Sequence, residues 1–215
     1  MGFDYRKLRL GARAIRGEAY KQHLGGGAAQ WERRGQFQLA LLRHLGLVES
    51  SRVLDVGCGP LRGGLPIIHF VGARNYRGFD ANRSLVEAAH FELERAGLRE
   101  AIGHVTLLED FALGTLAARY DVVLCFSVLN HCTPDERARF FAAVPAVMAP
   151  ASLVVVTHAT WFAPEVLAGT GLRVAQRFVA ESDLPLPLAP RQWGFPEGEG
   201  GPLPILVIGA ASVPP

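Results

Sequence analysis

Between residues 52 and 159 the chain alternates short apolar runs, often β-branched, with longer stretches whose apolar positions recur every three or four residues. The short runs "RVLDV" (52–56), "NYRGFD" (75–80), "HVTLLE" (104–109), "YDVVLCFSV" (120–128) and "SLVVVTHA" (152–159) predict five strands. Between them the spacing predicts a helix through "GGLPIIHFVG", a longer one over 83–97 ending at Gly97, and a short segment around 112–118. In "TPDERARFFAAVPAVM" Thr133 reads as a helix cap, with Pro134 at the first helical position and Glu136 three residues beyond the cap. Strands of this kind alternating with helices make a mostly parallel sheet covered on both faces.

The flanks read differently. Over 30–44, Trp31, Phe37, Leu41 and Leu42 fall at helical spacing, and Gly46 follows as a stop. The first 30 residues read as irregular or weakly helical, and the successive glycines Gly25, Gly26 and Gly27 as a hinge between an arm (1–29) and the body. At the other end, "LRVAQRFVAESD" and "LPILVIGAA" predict two more strands joined by "LPLPLAPRQWGFPEGEGGP", too rich in proline and glycine for a helix. Without a crossover helix they pair antiparallel, adding a hairpin to the parallel strands and bringing the sheet to seven.

At 215 residues there is room for one well-cored domain, and 49% hydrophobic with 20% charged residues is ordinary for a globular chain. A net charge of +2 does not suggest nucleic-acid binding, and the early basic residues Arg6, Lys7, Arg9, Arg13, Arg16 and Lys21 read as a solvated face, the alternative being an arm that meets a phosphate or an acidic substrate. Cys58, Cys125 and Cys132 are odd in number, and His131 beside Cys132 lacks the further ligands of a zinc site. No leader pattern opens the sequence and no apolar run approaches the ~18 residues of a membrane span. The expectation is a cytoplasmic protein with free thiols, no membrane partner and no metal.

Chemistry concentrates at the end of the first strand. Asp55 closes an apolar run and is followed by Gly57 and Gly59, residues that let backbone pass close to a ligand. Asp80 closes the second strand 25 positions after Asp55, where a carboxylate can accept from a ribose diol. In open α/β sheets ligands lie beyond the carboxyl ends of the strands, so an adenosine-bearing cofactor fits this edge. The dinucleotide pattern G-x-G-x-x-G is broken by Arg62 in its last place, with Gly63 one residue late, and the G-K-[ST] of a P-loop is absent.

These residues resemble a known family. "VLDVGCG", "YRGFDAN" and "YDVVLCFSVLNH" are similar to the first, second and fourth-strand motifs of the class I S-adenosylmethionine-dependent methyltransferases. The likeness spans roughly residues 30–211, and "VMAPASLVVVTH" departs from the usual glycine-rich turn. A narrower likeness, "QWERRGQFQLALLRHLGL" leading into "GCGPLRGG", resembles a bacterial subgroup in which a Trp-x-x-Arg-Gly helix precedes a Gly-Cys-Gly-x-Leu-Arg-Gly-Gly turn.

The resemblance implies a Rossmann-like α/β fold, a single methyltransferase-like domain over 30–215, and S-adenosylmethionine as cofactor with S-adenosylhomocysteine as product. By position it implies that Asp55 orients the turn and meets the cofactor's amino group, and that Gly57, Cys58 and Gly59 line the methionine moiety. Asp80 would hold the ribose, flanked by Ala81 and Asn82. Asp110 and Phe111 would meet the adenine, and Phe126 and Ser127 would close the methionine end. Some alternatives stay open: Asp110 as a cap for the next short helix, and Phe126 as core. Arg62 either pairs with the cofactor carboxylate or bridges to an acidic group such as Asp55 or Glu32. Trp31 is either a lid or a helix anchor.

Methyl transfer to a hydroxyl or protonated amine needs a base, and His131 is the candidate because its ordinary pKa near 6.5 suits the task. The alternative is that it only positions the helix behind it. Asn130, His158 and Asp183 are further candidates at the same edge, and Trp161, Phe162, Trp193 and Phe195 are candidate walls. The expected acceptor is a small molecule or short peptide, with acceptor atom and oligomeric state open. The rival readings are a non-catalytic, cofactor-binding partner protein and an NAD-dependent oxidoreductase.

Overall fold

The computed structural model describes residues 7–195 and 202–211. Arg6 of the basic set and positions 196–201 of the connection before the last strand lie outside the described residues.

Three helices open the chain: α1 (Ala12–Arg16), α2 (Ala19–Gly25) and α3 (Ala28–His44). The alternating body follows as β1 (Val53–Val56), α4 (Gly64–Val71), β2 (Tyr76–Asp80), α5 (Arg83–Arg95), β3 (Val105–Leu107), β4 (Tyr120–Cys125), α6 (Pro134–Ala143) and β5 (Met148–Val156). Strands β6 (Leu172–Phe178) and β7 (Ile205–Ala210) complete it. The seven strands form one sheet in the order β3-β2-β1-β4-β5-β7-β6. The first five run parallel, while β7 pairs antiparallel with both β5 and β6. This is the expected Rossmann-like sheet with its antiparallel hairpin. The order reverses between β1 and β4, which opens a crevice beyond their carboxyl ends.

Two cores form because the sheet is covered twice. Phe37, Leu41 and Leu42 of α3 pack with Ile67, Ile68 and Val71 of α4 over one face. Phe140 and Phe141 of α6, with Val144 and Val147, cover the other. Strand β1 is buried along its whole length. The period-two alternation of a strand puts Val53 and Asp55 on the first face and Leu54 and Val56 on the second.

Local chemistry sets the helix ends. Thr133 and Glu136 form the anticipated reciprocal capping box at α6. Gly97, with φ +73°, ends α5, where the amides of Gly97 and Leu98 bond back to the carbonyls of Glu94 and Leu93.

Residues 7–27 are more ordered than their pattern suggests. Ile15 and Tyr20 are buried against Trp31 and Ala88. The Tyr20 hydroxyl donates to the buried Glu92 carboxylate, which Lys21 also meets at 2.9 Å. Helices α1 and α2 are therefore held by α5, and the glycine run makes the corner between α2 and α3, with Gly26 and Gly27 at φ +76° and +105°.

Candidate functional site

A cavity of about 940 Å³ lies beyond the carboxyl ends of the central strands, bounded on one side by α3 and the chain before it. This is the upper part of the range usual for small-ligand sites, roughly 300–1,000 Å³.

The glycine turn forms its floor. The amides of Gly57 and Cys58 both donate to the Phe79 carbonyl, at 2.8 and 3.0 Å, which ties the turn to β2. Gly57 has φ +71° and Gly59 φ +52°, conformations that L side chains rarely adopt. The two glycines serve different ends. A Cβ on Gly57 would strike the Val128 side chain, whereas the Cβ position of Gly59 meets no atom within 4 Å. Gly57 thus lets the turn pack under the β4 loop, and Gly59 leaves space open.

Asp80 links the two sides of the floor. One carboxylate oxygen accepts from the Gly59 amide at 3.0 Å and the other from the Asn82 amide at 2.8 Å. A carboxylate has about four acceptor positions, so roughly two remain on a side chain that lines the cavity. Burial raises the pKa of Asp80, and these two amides oppose the rise. Asp55 accepts from the Tyr76 hydroxyl at 2.7 Å. Burial pushes its carboxyl up to about 7, opposed by the Tyr76 bond, reinforced by Asp80 and opposed again by Arg62.

The expected residues converge. Asp55, Gly57, Cys58, Gly59 and Arg62 from the first turn all line the cavity, as do Asp80, Ala81 and Asn82 from the second. Asp110 and Phe111 join them after β3, and Phe126, Ser127, Asn130 and His131 after β4. Asp110, Phe111, Ser127 and His158 all hold left-handed φ between +52° and +59°. Strain of this kind persists where surrounding structure enforces it, and it gathers at functional sites. It also explains why β4 and β5 stop at Cys125 and Val156, short of the expected 128 and 159.

Arg62 donates to the Leu24 carbonyl at 3.0 Å and lies 5.7 Å from the centres of both the Trp31 and Phe126 rings. It joins α2 to the turn through a backbone carbonyl. Trp31 is 4% exposed and meets Tyr20 edge to face, so it anchors its helix while also bordering the cavity. Phe126 serves as core and wall together, touching Phe37 and Phe195 as well as bordering the cavity. Asn82 caps α5 through its carbonyl oxygen and donates to the Leu8 carbonyl, which clasps the start of the chain to the second turn.

The two histidines differ. His131 is exposed, with its Nε2 3.2 Å from the Asn130 amide nitrogen. His158 is half-buried, its Nδ1 3.1 Å from both the Ser127 and Thr157 hydroxyl oxygens. Burial, followed by the nearby Arg62, His131 and Arg34, holds the His158 pKa down to about 4. The Asn130 Oδ1 atom is buried without a hydrogen-bond partner among the described residues.

Other expectations need correction. Asp183 sits in an exposed turn where it accepts from the Val179 and Ala180 amides, away from the cavity. Of the four candidate wall residues only Phe195 reaches the cavity. Trp161 and Phe162 pack into the second core, with Arg137 over the Trp161 ring at 4.3 Å. Trp193 packs on Phe37 and donates to the Pro187 carbonyl. Aromatic rings on a loop found apolar surface to cover. Sequence reasoning missed Arg34, Gln38, Arg9 and Leu24 as lining residues. The signal for Arg34 was its place three residues after Trp31, one helical turn along the same face.

Helix and turn meet through glycines. A Cβ on Gly35 would collide with the Arg62 carbonyl oxygen, and one on Gly63 with the Gln38 side chain. The Trp-x-x-Arg-Gly helix and the glycine turn therefore interlock.

Residues 53–151, from β1 into β5, match the family described as a methyltransferase domain. Among solved structures the chain is similar to magnesium protoporphyrin IX methyltransferase from Synechocystis PCC 6803 with bound SAM, at 15% identity and TM-score 0.57 over 95% of this chain and 87% of that one. It is also similar to a TehB-like SAM-dependent methyltransferase from Corynebacterium glutamicum, at 15% identity and TM-score 0.54 over 92% and 98% of the two chains. A third is ribosomal protein L11 methylase from Lactobacillus delbrueckii subsp. bulgaricus, at 13% identity and TM-score 0.57 over 81% and 77%. Residues 53–151 thus match a methyltransferase domain, and the chain shares the fold of these SAM-binding methyltransferases. Among the described residues, no helix is long and apolar enough to cross a membrane.

Proposed function

We propose that the chain transfers a methyl group from S-adenosylmethionine to a small-molecule or short-peptide acceptor. The observation that carries this is Asp80, bonded to both cofactor-edge turns yet retaining acceptor capacity at the cavity. In this reading the free positions of Asp80 take the ribose hydroxyls, with Ala81 and Asn82 alongside. Gly57, Cys58 and Gly59 follow the methionine portion, and Asp55 steadies the turn and attracts the amino group. Asp110 and the Phe111 ring bound the adenine, while Phe126 and Ser127 close the opposite end. Arg62 faces the carboxylate. The interlock of Gly35 with Arg62 supports the narrower helix-and-turn subgroup.

Bound there, adenosylmethionine supplies an electrophilic methyl on a sulfonium, whose departure as a neutral thioether needs no acid. The protein's part is alignment, bringing the nucleophile within about 3–3.5 Å of the methyl carbon. For a hydroxyl or protonated amine it also removes a proton, a task that falls to His131.

The test is incubation of the purified protein with adenosylmethionine and an extract of its source cells, followed by mass spectrometry. The expected result is a gain of one methylene on a small molecule or peptide. Product confined to nucleic acid would contradict the acceptor class. Intact cofactor binding without product in any fraction would favour a non-catalytic partner.

A further inference from the structure

The part of the cavity beyond β4 and β5 is cationic. Arg34 projects from α3, with Nε and Nη2 donating to the Gly194 carbonyl at 3.1 and 2.8 Å and Nη2 also meeting Gln30 Oε1 at 3.2 Å. Its remaining amino group, Nη1, makes none of these bonds, and Arg34 forms no ion pair among the described residues. The guanidinium is 5.1 Å from the centre of the Phe195 ring, which stands 6.3 Å from the Phe126 ring. The His158 ring also stands edge to face with Phe126, at 6.1 Å. The groups around this imidazole are the Ser127 and Thr157 hydroxyls, the Arg34 and Arg62 guanidiniums and the His131 ring. Among the described residues, most of the carboxylates that border the cavity lie toward its other side. Asp80, Glu87, Glu109 and Asp110 lie along the β2 and β3 side, Asp55 is bonded to Tyr76 beneath the turn, and Glu136 closes the α6 cap.

We propose that the acceptor is a small carboxylate, its charged group held by Arg34 and His158 and its apolar body lying against Phe126 and Phe195. This rests on the methyltransferase reading and names its substrate class. A guanidinium already fixed in orientation by a carbonyl suits a planar carboxylate, because little side-chain freedom is left to lose. The imidazole sits in a positive surrounding that a bound anion partly offsets. Carboxylate binding therefore draws a proton onto His158. Arg62, which belongs to the glycine turn itself, remains for the cofactor's own carboxylate.

Benzoate and its uncharged analogue benzamide are suitable probes, titrated by calorimetry into protein saturated with adenosylhomocysteine, at pH 7 and in two buffers of different ionisation enthalpy. The expected result is benzoate binding about tenfold or more tighter than benzamide, with net proton uptake. Arg34→Gln should weaken benzoate by about tenfold while adenosylhomocysteine affinity stays within about threefold, and Arg34→Lys should recover part of the loss. His158→Gln should abolish the proton uptake. Equal affinity for the two probes, or unchanged benzoate affinity in Arg34→Gln, would overturn the inference. So would loss of adenosylhomocysteine binding in a folded Arg34→Gln protein, because Arg34 would then serve the cofactor. Failure of wild type to bind adenosylhomocysteine would remove the methyltransferase reading and this inference with it, whereas failure of benzoate alone would remove only the inference.

Discussion

Two histidines border the cavity in different settings, and that contrast decides what each can do. His131 is exposed at the rim, where an imidazole can exchange protons with solvent after each turnover. His131→Ala should lower turnover by about 10²- to 10⁴-fold with cofactor affinity nearly unchanged. Turnover within about threefold of wild type at saturating substrates would show that alignment alone carries the rate. His158 and Asp55 also make stability depend on pH. His158 titrates near 4 when folded and about 6.5 when unfolded, so its contribution is present above that window and lost as pH falls through it. Asp55 titrates near 7 when folded and about 3.9 when unfolded, so the native state keeps a proton that the unfolded chain releases, and stability falls as pH rises through that window. The slopes oppose each other between about pH 4 and 6.5. Urea unfolding at pH 5 and 7 should show His158→Gln losing more stability than wild type as pH rises, and Asp55→Asn gaining. Both variants following the wild-type profile would contradict these shifts.

At the scale of elements, residues 52–159 were readable because each strand had an apolar run and each helix a period, and Thr133, Pro134 and Glu136 marked α6 by chemistry specific to a helix start. The glycine turn was readable because Gly57 and Gly59 serve local backbone needs. Contacts between distant segments were not. Nothing in the spacing of Ile15 and Tyr20 shows that they dock on α5, and nothing around Trp161 separates a cavity wall from a core plug. Asp183 was misplaced because its partners are amides of its own turn, an arrangement that resembles any other loop aspartate. The joint between α3 and the turn yields a direct test. Gly35→Ala places a methyl against the Arg62 carbonyl, so the helix must move off the turn. The variant should lose about 1–3 kcal/mol of stability and bind cofactor more weakly, the usual penalty for overpacking. Gly103→Ala, whose Cβ meets nothing within 4 Å, is the control. Equal melting temperatures and affinities in the two variants would mean that the joint does not position the site.

For the whole molecule, the parallel strands gather their loops and turns at one edge, and the reversal of strand order between β1 and β4 leaves space among them. The antiparallel strands β6 and β7 extend the far side of the sheet, and the connection into β7 brings Phe195 back over the cavity. The same edge would serve a dinucleotide if the turn were built for one. Arg62 occupies the place of that motif's third glycine, and α3 packs directly on its carbonyl. Calorimetric titration of the purified protein with S-adenosylmethionine and, separately, with NAD is the most direct test of the assignment. The account predicts saturable heat with adenosylmethionine, at an affinity between low micromolar and sub-millimolar, and none with NAD. Tight NAD binding with no heat from adenosylmethionine would contradict it.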